Sequence, residues 1–206
     1  MRSLRICFVG ESFVNGTGDL ECLGWAGRIC AKACHLGHDI TYYNLGVRRE
    51  TSTQLKERWQ KEVSYRLPLD HEGRIVFCFG VNDTTIENGK TRVAFETSVE
   101  NTRHILKVAK QMFPVLMVGV APVADWEQNQ RIARLSAAFA SVCAEIDVPY
   151  LDIFSPLQAS DVWIKEAIAN DGAHPRTAGY AQLAQLVQNW QPWLSWFKED
   201  IGAATN

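Results

Sequence analysis

Apolar and polar positions follow two alternating rhythms along the chain. Leu4 to Val9, read Leu-Arg-Ile-Cys-Phe-Val, is a short and mostly apolar run without helical spacing, closed by Gly10. Such a run predicts a strand buried on both faces, and Gly10 permits a sharp turn after it. Comparable runs recur at Ile40–Tyr43, Ile75–Phe79, residues 114–121 and residues 149–153. Between them the apolar positions fall at helical spacing. Leu23, Ala26, Cys30 and Cys34 predict a helix over residues 20–36, and Leu55, Trp59 and Val63 predict one from the Thr51–Ser52 cap to about residue 65. Further helices are predicted over about 93–112, 127–146, 160–169 and 177–190, the last resuming after Pro192. A polar turn is predicted at residues 68–73. Strands alternating with helices imply a parallel sheet covered on both faces. The expectation is a single domain, residues 1–206, with a three-layer α/β/α fold and a five-stranded parallel sheet in the flavodoxin-like order 2-1-3-4-5.

Composition adds mainly exclusions. The chain has 206 residues, enough for one sizeable core, and its net charge of −2 provides no field that would draw it to nucleic acid. The first apolar run is too short for a signal-peptide core, and no stretch approaches membrane-spanning length. A cytoplasmic protein without an integral membrane segment is expected. The cysteines (Cys7, Cys22, Cys30, Cys34, Cys78 and Cys143) read as free thiols, because Cys7 and Cys78 fall inside core strands. Cys30 and Cys34, near His35 and His38, lack the ligand spacing of a zinc site, and no metal is expected. Trp190, Trp193, Trp196 and Phe197 lie near one helical face. They are expected to pack on the domain or on another subunit, which leaves a homo-oligomer open. A membrane contact is the alternative.

Candidate chemistry collects at strand ends. Ser12 follows the first strand, Gly46 the second and Asn82 the third, while Asp171 and His174 share the loop before the last long helix. In a parallel sheet these points lie on one edge, where ligands bind. A serine hydroxyl needs a base to become a nucleophile, and an imidazole both accepts and donates a proton near neutral pH. A carboxylate three residues earlier can fix the imidazole tautomer. The N–H groups of Ser12 and Gly46 and the side-chain amide of Asn82 can hold an oxyanion. Each residue alone has an ordinary reading as a turn or cap, and Asp171-Gly172 is a good turn by itself. The set on one edge favours catalysis.

The ordered blocks Gly10-Glu11-Ser12, Asn44-Leu45-Gly46, Gly80-Val81-Asn82-Asp83 and Asp171-Gly172-Ala173-His174 resemble those of the SGNH hydrolases, the GDSL lipase/esterase family. They span nearly the whole chain. The resemblance implies a serine hydrolase that uses no metal or cofactor. Ser12 would be the nucleophile, His174 the base and Asp171 its orienting acid, with Ser12, Gly46 and Asn82 forming the oxyanion hole. A small acyl ester or thioester is the implied substrate. Two positions depart from the family pattern: Glu11 stands where Asp is usual, and Phe13 where Leu is usual.

Two rivals are weighed against this reading. A carbohydrate O-deacetylase would use the same triad on acetylated sugars. A flavodoxin-like phosphate or nucleotide binder would use the three glycines between Gly10 and Gly18, but no Lys follows in a phosphate-loop pattern and the first helix starts late. Phe13 and Trp126 are candidate walls of an acyl pocket.

Overall fold

The computed structural model describes residues 3–68 and 71–198. Arg2 and part of the predicted turn at 68–73 lie outside the described residues. The chain runs through β1 (Ser3–Gly10), α1 (Ser12–Asn15), α2 (Gly24–His35), β2 (Asp39–Gly46), α3 (Ser52–Ser64) and β3 (Glu72–Cys78). A small hairpin follows, β4 (Ile86–Glu87) and β5 (Lys90–Thr91), then α4 (Phe95–Met112), β6 (Val115–Val118), α5 (Trp126–Glu145) and β7 (Tyr150–Leu151). The chain closes with α6 (Phe154–Gln158), α7 (Asp161–Ala169), α8 (Thr177–Gln188) and α9 (Gln191–Ser195).

The main sheet has the order β2-β1-β3-β6-β7 with every pair parallel. Once the hairpin is set aside, this is the expected order 2-1-3-4-5. β1 lies inside the sheet, between β2 and β3, with Leu4, Ile6, Cys7, Phe8 and Val9 all buried. Burying one side chain of this size is worth about 1.5–3 kcal/mol, so the apolar run outweighs local alternatives. Phe8 packs edge-on against Trp25 of α2 and Tyr42 of β2, which fixes that face of the sheet.

The register brings three strand ends level. Gly10 pairs with Gly46 on one side and Cys78 on the other. Neither glycine has a positive φ, so the conformational freedom expected of Gly10 is not what the site needs. What it needs is space. A Cβ on Gly10 would lie 1.9 Å from the Cys78 carbonyl oxygen, and one on Gly46 would lie 2.2 Å from the Asn15 nitrogen. Only hydrogen fits at either point.

Several elements lie outside what the apolar pattern predicts. α1 turns immediately after β1, in place of the expected loop, and its carbonyls at Glu11 and Ser12 receive Val14, Asn15, Gly16 and Thr17. α6 is a single five-residue helix. Predicted helices begin and end within a few residues of those observed, and α3 carries a complete capping box from Thr51 and Gln54. Trp193 and Trp196 are buried. Trp193 lies against Phe8 and Phe197, so this end of the chain packs on the domain body. Cys7, Cys30, Cys78 and Cys143 are buried free thiols, whereas Cys22 and Cys34 are exposed free thiols. Among the described residues no group of three or more His, Cys, Asp or Glu is placed to hold a metal, and no helix is long and apolar enough to cross a membrane.

Candidate active site

Ser12 sits where β1 ends and α1 begins, at the floor of a cavity of about 340 Å³. Its side chain is nearly buried, and Ser12 Oγ lies 2.7 Å from His174 Nε2 across 162 residues of sequence. His174 Nδ1 lies 2.8 Å from Asp171 Oδ2. The other Asp171 oxygen accepts the N–H groups of Ala173 (3.1 Å) and His174 (2.9 Å), which locks the carboxylate relative to the ring. The loop is held in turn by Asn170, whose amide donates to the His174 carbonyl at 3.0 Å, and by Gly172, at a φ of 83°.

The ends of this contact are anchored separately. Tyr180 of α8 donates its hydroxyl to the Thr17 carbonyl at 2.8 Å, and Thr177 donates to Asp19 at 3.0 Å. Asp19 also pairs with Arg28 of α2. The segment after α1 is thereby tied to the helix that follows His174. Phe13 is buried with its ring 4.8 Å from the imidazole and 6.0 Å from Trp163. It therefore buttresses the imidazole as well as facing the cavity. Trp126 is largely exposed and does not face this cavity.

Electrostatics keep the imidazole in its neutral, proton-accepting form. Burial pulls the His174 pKa below its ordinary value; Asp171 opposes this, and the Arg48 guanidinium reinforces it. Burial pushes the Asp171 carboxyl upward, but the N–H and ring of His174 and the Ala173 N–H together hold it below the usual carboxylate range. A hydroxyl touching a neutral imidazole that a carboxylate orients can give up its proton as it attacks a carbonyl.

The expected oxyanion donors are less uniform. The Ser12 N–H has no partner among the described residues. The Gly46 N–H donates to Asn44 Oδ1 at 3.0 Å, and Gly46 does not face the cavity. Its contribution is close packing: it lets β2 approach Asn15 and the Glu11 carbonyl. Asn82 does face the cavity, but its amide nitrogen donates to Glu11 Oε2 and, at 3.0 Å, to the Glu50 carbonyl.

Glu11, the longer acid in the family's Asp position, is buried beneath this arrangement. It accepts the N–H of Val81 at 3.0 Å and of Asn82 at 3.2 Å besides the Asn82 amide. Burial pushes its pKa up to about 8, against the pull of those donors and with Asp83 adding to the rise. Asp83 accepts from the Ser52 N–H at 2.8 Å and from the Ser98 hydroxyl at 2.7 Å, joining this loop to α3 and α4.

Sequence patterning missed the rim. Arg48 and Arg49, between β2 and α3, and Glu87 and Arg92, around the β4–β5 hairpin, all line the cavity. Arg49 has a φ of 67°, and its N–H has no partner among the described residues. The available signal was the Arg48-Arg49 pair directly after a strand end.

Comparison with known proteins agrees with this architecture. The lipase/acylhydrolase from Enterococcus faecalis superposes with a TM-score of 0.74 at 21% identity, over 91% of this chain and 94% of that one. An acetylxylan esterase from Geobacillus stearothermophilus gives 0.74 at 15% identity, over 90% and 92%. LAE5, an alpha/beta hydrolase enzyme from the metagenome of Lake Arreo, gives 0.71 at 15%, over 90% and 94%. A search of curated protein sequences finds no match. The model of the GDSL-like Lipase/Acylhydrolase family matches residues 8–182, from within β1 to within α8. With most of its length matched, the chain belongs to the GDSL-like lipase/acylhydrolase family, and the protein is a hydrolase of carboxylic esters.

Proposed function

We propose that the protein cleaves carboxylic esters or thioesters through an acyl-enzyme on Ser12. Ser12 Oγ attacks the carbonyl carbon while His174 Nε2 takes its proton. Asp171 holds the proton on Nδ1 and stabilises the imidazolium. The leaving alcohol or thiol departs with the proton from His174. Water then attacks the acyl carbon as it gives a proton to His174; the bond from that carbon to Ser12 Oγ breaks, the acid leaves, and His174 returns the proton to Oγ. The observation that carries this reading is the 2.7 Å contact between Ser12 Oγ and His174 Nε2.

The tetrahedral oxyanion needs donors already in place. The Ser12 N–H meets that need without giving up another bond. The Arg49 N–H is the second candidate in place of Gly46, because it belongs to a residue on the cavity and is unpartnered among the described residues. Asn82 can join as substrate arrives by exchanging its bond to the Glu50 carbonyl for one to the oxyanion.

A fluorophosphonate is the direct test. It should modify Ser12, identified by peptide mass mapping, and Ser12→Ala should lose both labelling and ester turnover. The thermal unfolding of the variant should stay close to that of the parent. Labelling at another residue, or turnover retained in Ser12→Ala, overturns the proposal.

A further inference from the structure

The rim of the cavity carries more positive charge than its own acids answer. Arg48, Arg49 and Arg92 face the cavity, in a chain whose net charge is −2, so the local sign is not that of the protein as a whole. One atom, Glu87 Oε1, serves two of them, Arg49 at 3.2 Å and Arg92 at 3.4 Å. Arg92 also donates to the Arg49 carbonyl at 2.8 Å, which ties the hairpin to the β2–α3 loop. Arg48 has only a 3.7 Å approach to Asp171 Oδ2, the oxygen already engaged by His174, and its side chain is 63% exposed.

This arrangement suits a neutral substrate poorly. A guanidinium beside the base opposes the imidazolium that must form when Ser12 gives up its proton, and Arg48 acts on His174 in that direction. A negative group on the substrate would remove the conflict by pairing with Arg48. Guanidinium forks match the planar carboxylate and the phosphate oxygens, with charge-assisted bonds stronger than neutral ones. Arg49 stands at a positive φ, a conformation that a side chain disfavours, so a residue with no Cβ would be the easier choice at that turn.

Resting on the hydrolase reading above, we infer that the substrate is an ester or thioester bearing an oxyanion, carboxylate or phosphate, which Arg48 and Arg49 engage at the cavity rim while Arg92 and Glu87 hold Arg49 in position. The test compares matched pairs. For a carboxylate on the acyl side the pair is 4-nitrophenyl hydrogen adipate against 4-nitrophenyl hexanoate. For a phosphate on the alcohol side it is 1-acetylglycerol 3-phosphate against 1-acetylglycerol. At low salt the anionic member of at least one pair should have a kcat/KM roughly 10- to 100-fold above its neutral counterpart, the range expected of hydrogen bonds to charged groups. The pair that shows the preference identifies the anion. The preference should shrink with rising salt, because the rim is exposed. Arg48→Gln should lower it about ten-fold, mainly through KM, and Arg48→Lys should retain part of it. Equal or better turnover of both neutral members, or a preference that survives Arg48→Gln, overturns the inference and leaves the hydrolase reading standing. Absence of turnover for all four esters together with absence of fluorophosphonate labelling removes the hydrolase reading and the inference with it.

Discussion

The two walls of the cavity are built on opposite terms. The floor, at the ends of β1, β2 and β3, is buried and allows no slack: Gly10 and Gly46 have no room for a methyl group, and Ser12, Glu11 and His174 are all nearly inaccessible. The rim, from Arg48 to the β4–β5 hairpin, is exposed and charged, and is held by ion pairs rather than by packing. Floor groups are positioned by surroundings that cannot yield, so small changes there should be severe. Rim groups are solvated and screened, so changes there should be graded and salt-dependent. The expected effects of substitution span that range.

Asp171→Asn should damage turnover the most. Asn can still accept the Ala173 and His174 N–H groups, so the loop should keep its shape. Its amide, however, would donate toward His174 Nδ1 and force the ring proton onto Nε2, the atom that accepts from Ser12 in the proposed mechanism. A loss of about 10⁴-fold in kcat is expected from the wrong tautomer. Steady-state kinetics beside an unchanged melting curve would check it, and near-normal kcat would remove Asp171 from the mechanism.

Gly46→Ala should come next, through stability. The added methyl meets backbone at 2.2 Å and 2.7 Å, where no side chain can swing aside. Overpacking of this kind costs roughly 1–3 kcal/mol or more, read as a lower urea midpoint at unchanged slope. Because the clash is with Asn15 and the Glu11 carbonyl, flanking Ser12, turnover should fall as well. A variant as stable and active as the parent would show the floor to be looser than described.

The same contrast explains what could be read from the sequence. Strands with buried apolar runs, and helices with one apolar stripe, announce themselves by period; hence the sheet order and the approach of His174 to Ser12 were legible. The β4–β5 hairpin was not, because strands of two residues, with the single apolar side chain, Ile86, exposed, carry no alternation. Its one strong signal was Asn88-Gly89, whose positive φ values (52° and 77°) suit a tight hairpin turn. The reach of Glu11 to Asn82, and the capture of the Gly46 N–H by Asn44, are contacts between turns and leave no period in the chain. Arg48 and Arg49 read as ordinary solvated charge until the fold brings them onto the cavity.

Glu11 tests the floor by pH. Its pKa is raised to about 8 from an ordinary 4.5, so the folded protein holds a proton that the unfolded chain releases. Between about pH 4.5 and 8 the native state therefore binds more protons, and this contribution to stability falls as pH rises, levelling off above 8. Its size is a few kcal/mol at most, since about 1.4 kcal/mol accompanies each pKa unit and the N–H donors offset part of the burial. The urea midpoint of the wild type relative to Glu11→Gln should decline across that window. A difference that is flat or rises with pH would mean that the three N–H donors keep the carboxylate charged.

Arg48→Gln should give the smallest effect, and its sign is the informative part. With His174 as the base of the proposed mechanism, kcat/KM for a neutral ester should rise with pH as the imidazole loses its proton. Burial, reinforced by Arg48, holds that transition below the ordinary value of 6.5. Removing the guanidinium relieves part of this, so the acid limb should move to higher pH. Arg48 is mostly exposed, and salt should therefore shrink the difference between variant and parent. A limb that shifts at low salt and converges at high salt means that the rim acts on the base through solvent-screened charge. A limb that does not move would separate the rim from the base altogether. Arg48 would then have no unfavourable effect on the imidazolium for an anionic substrate to relieve.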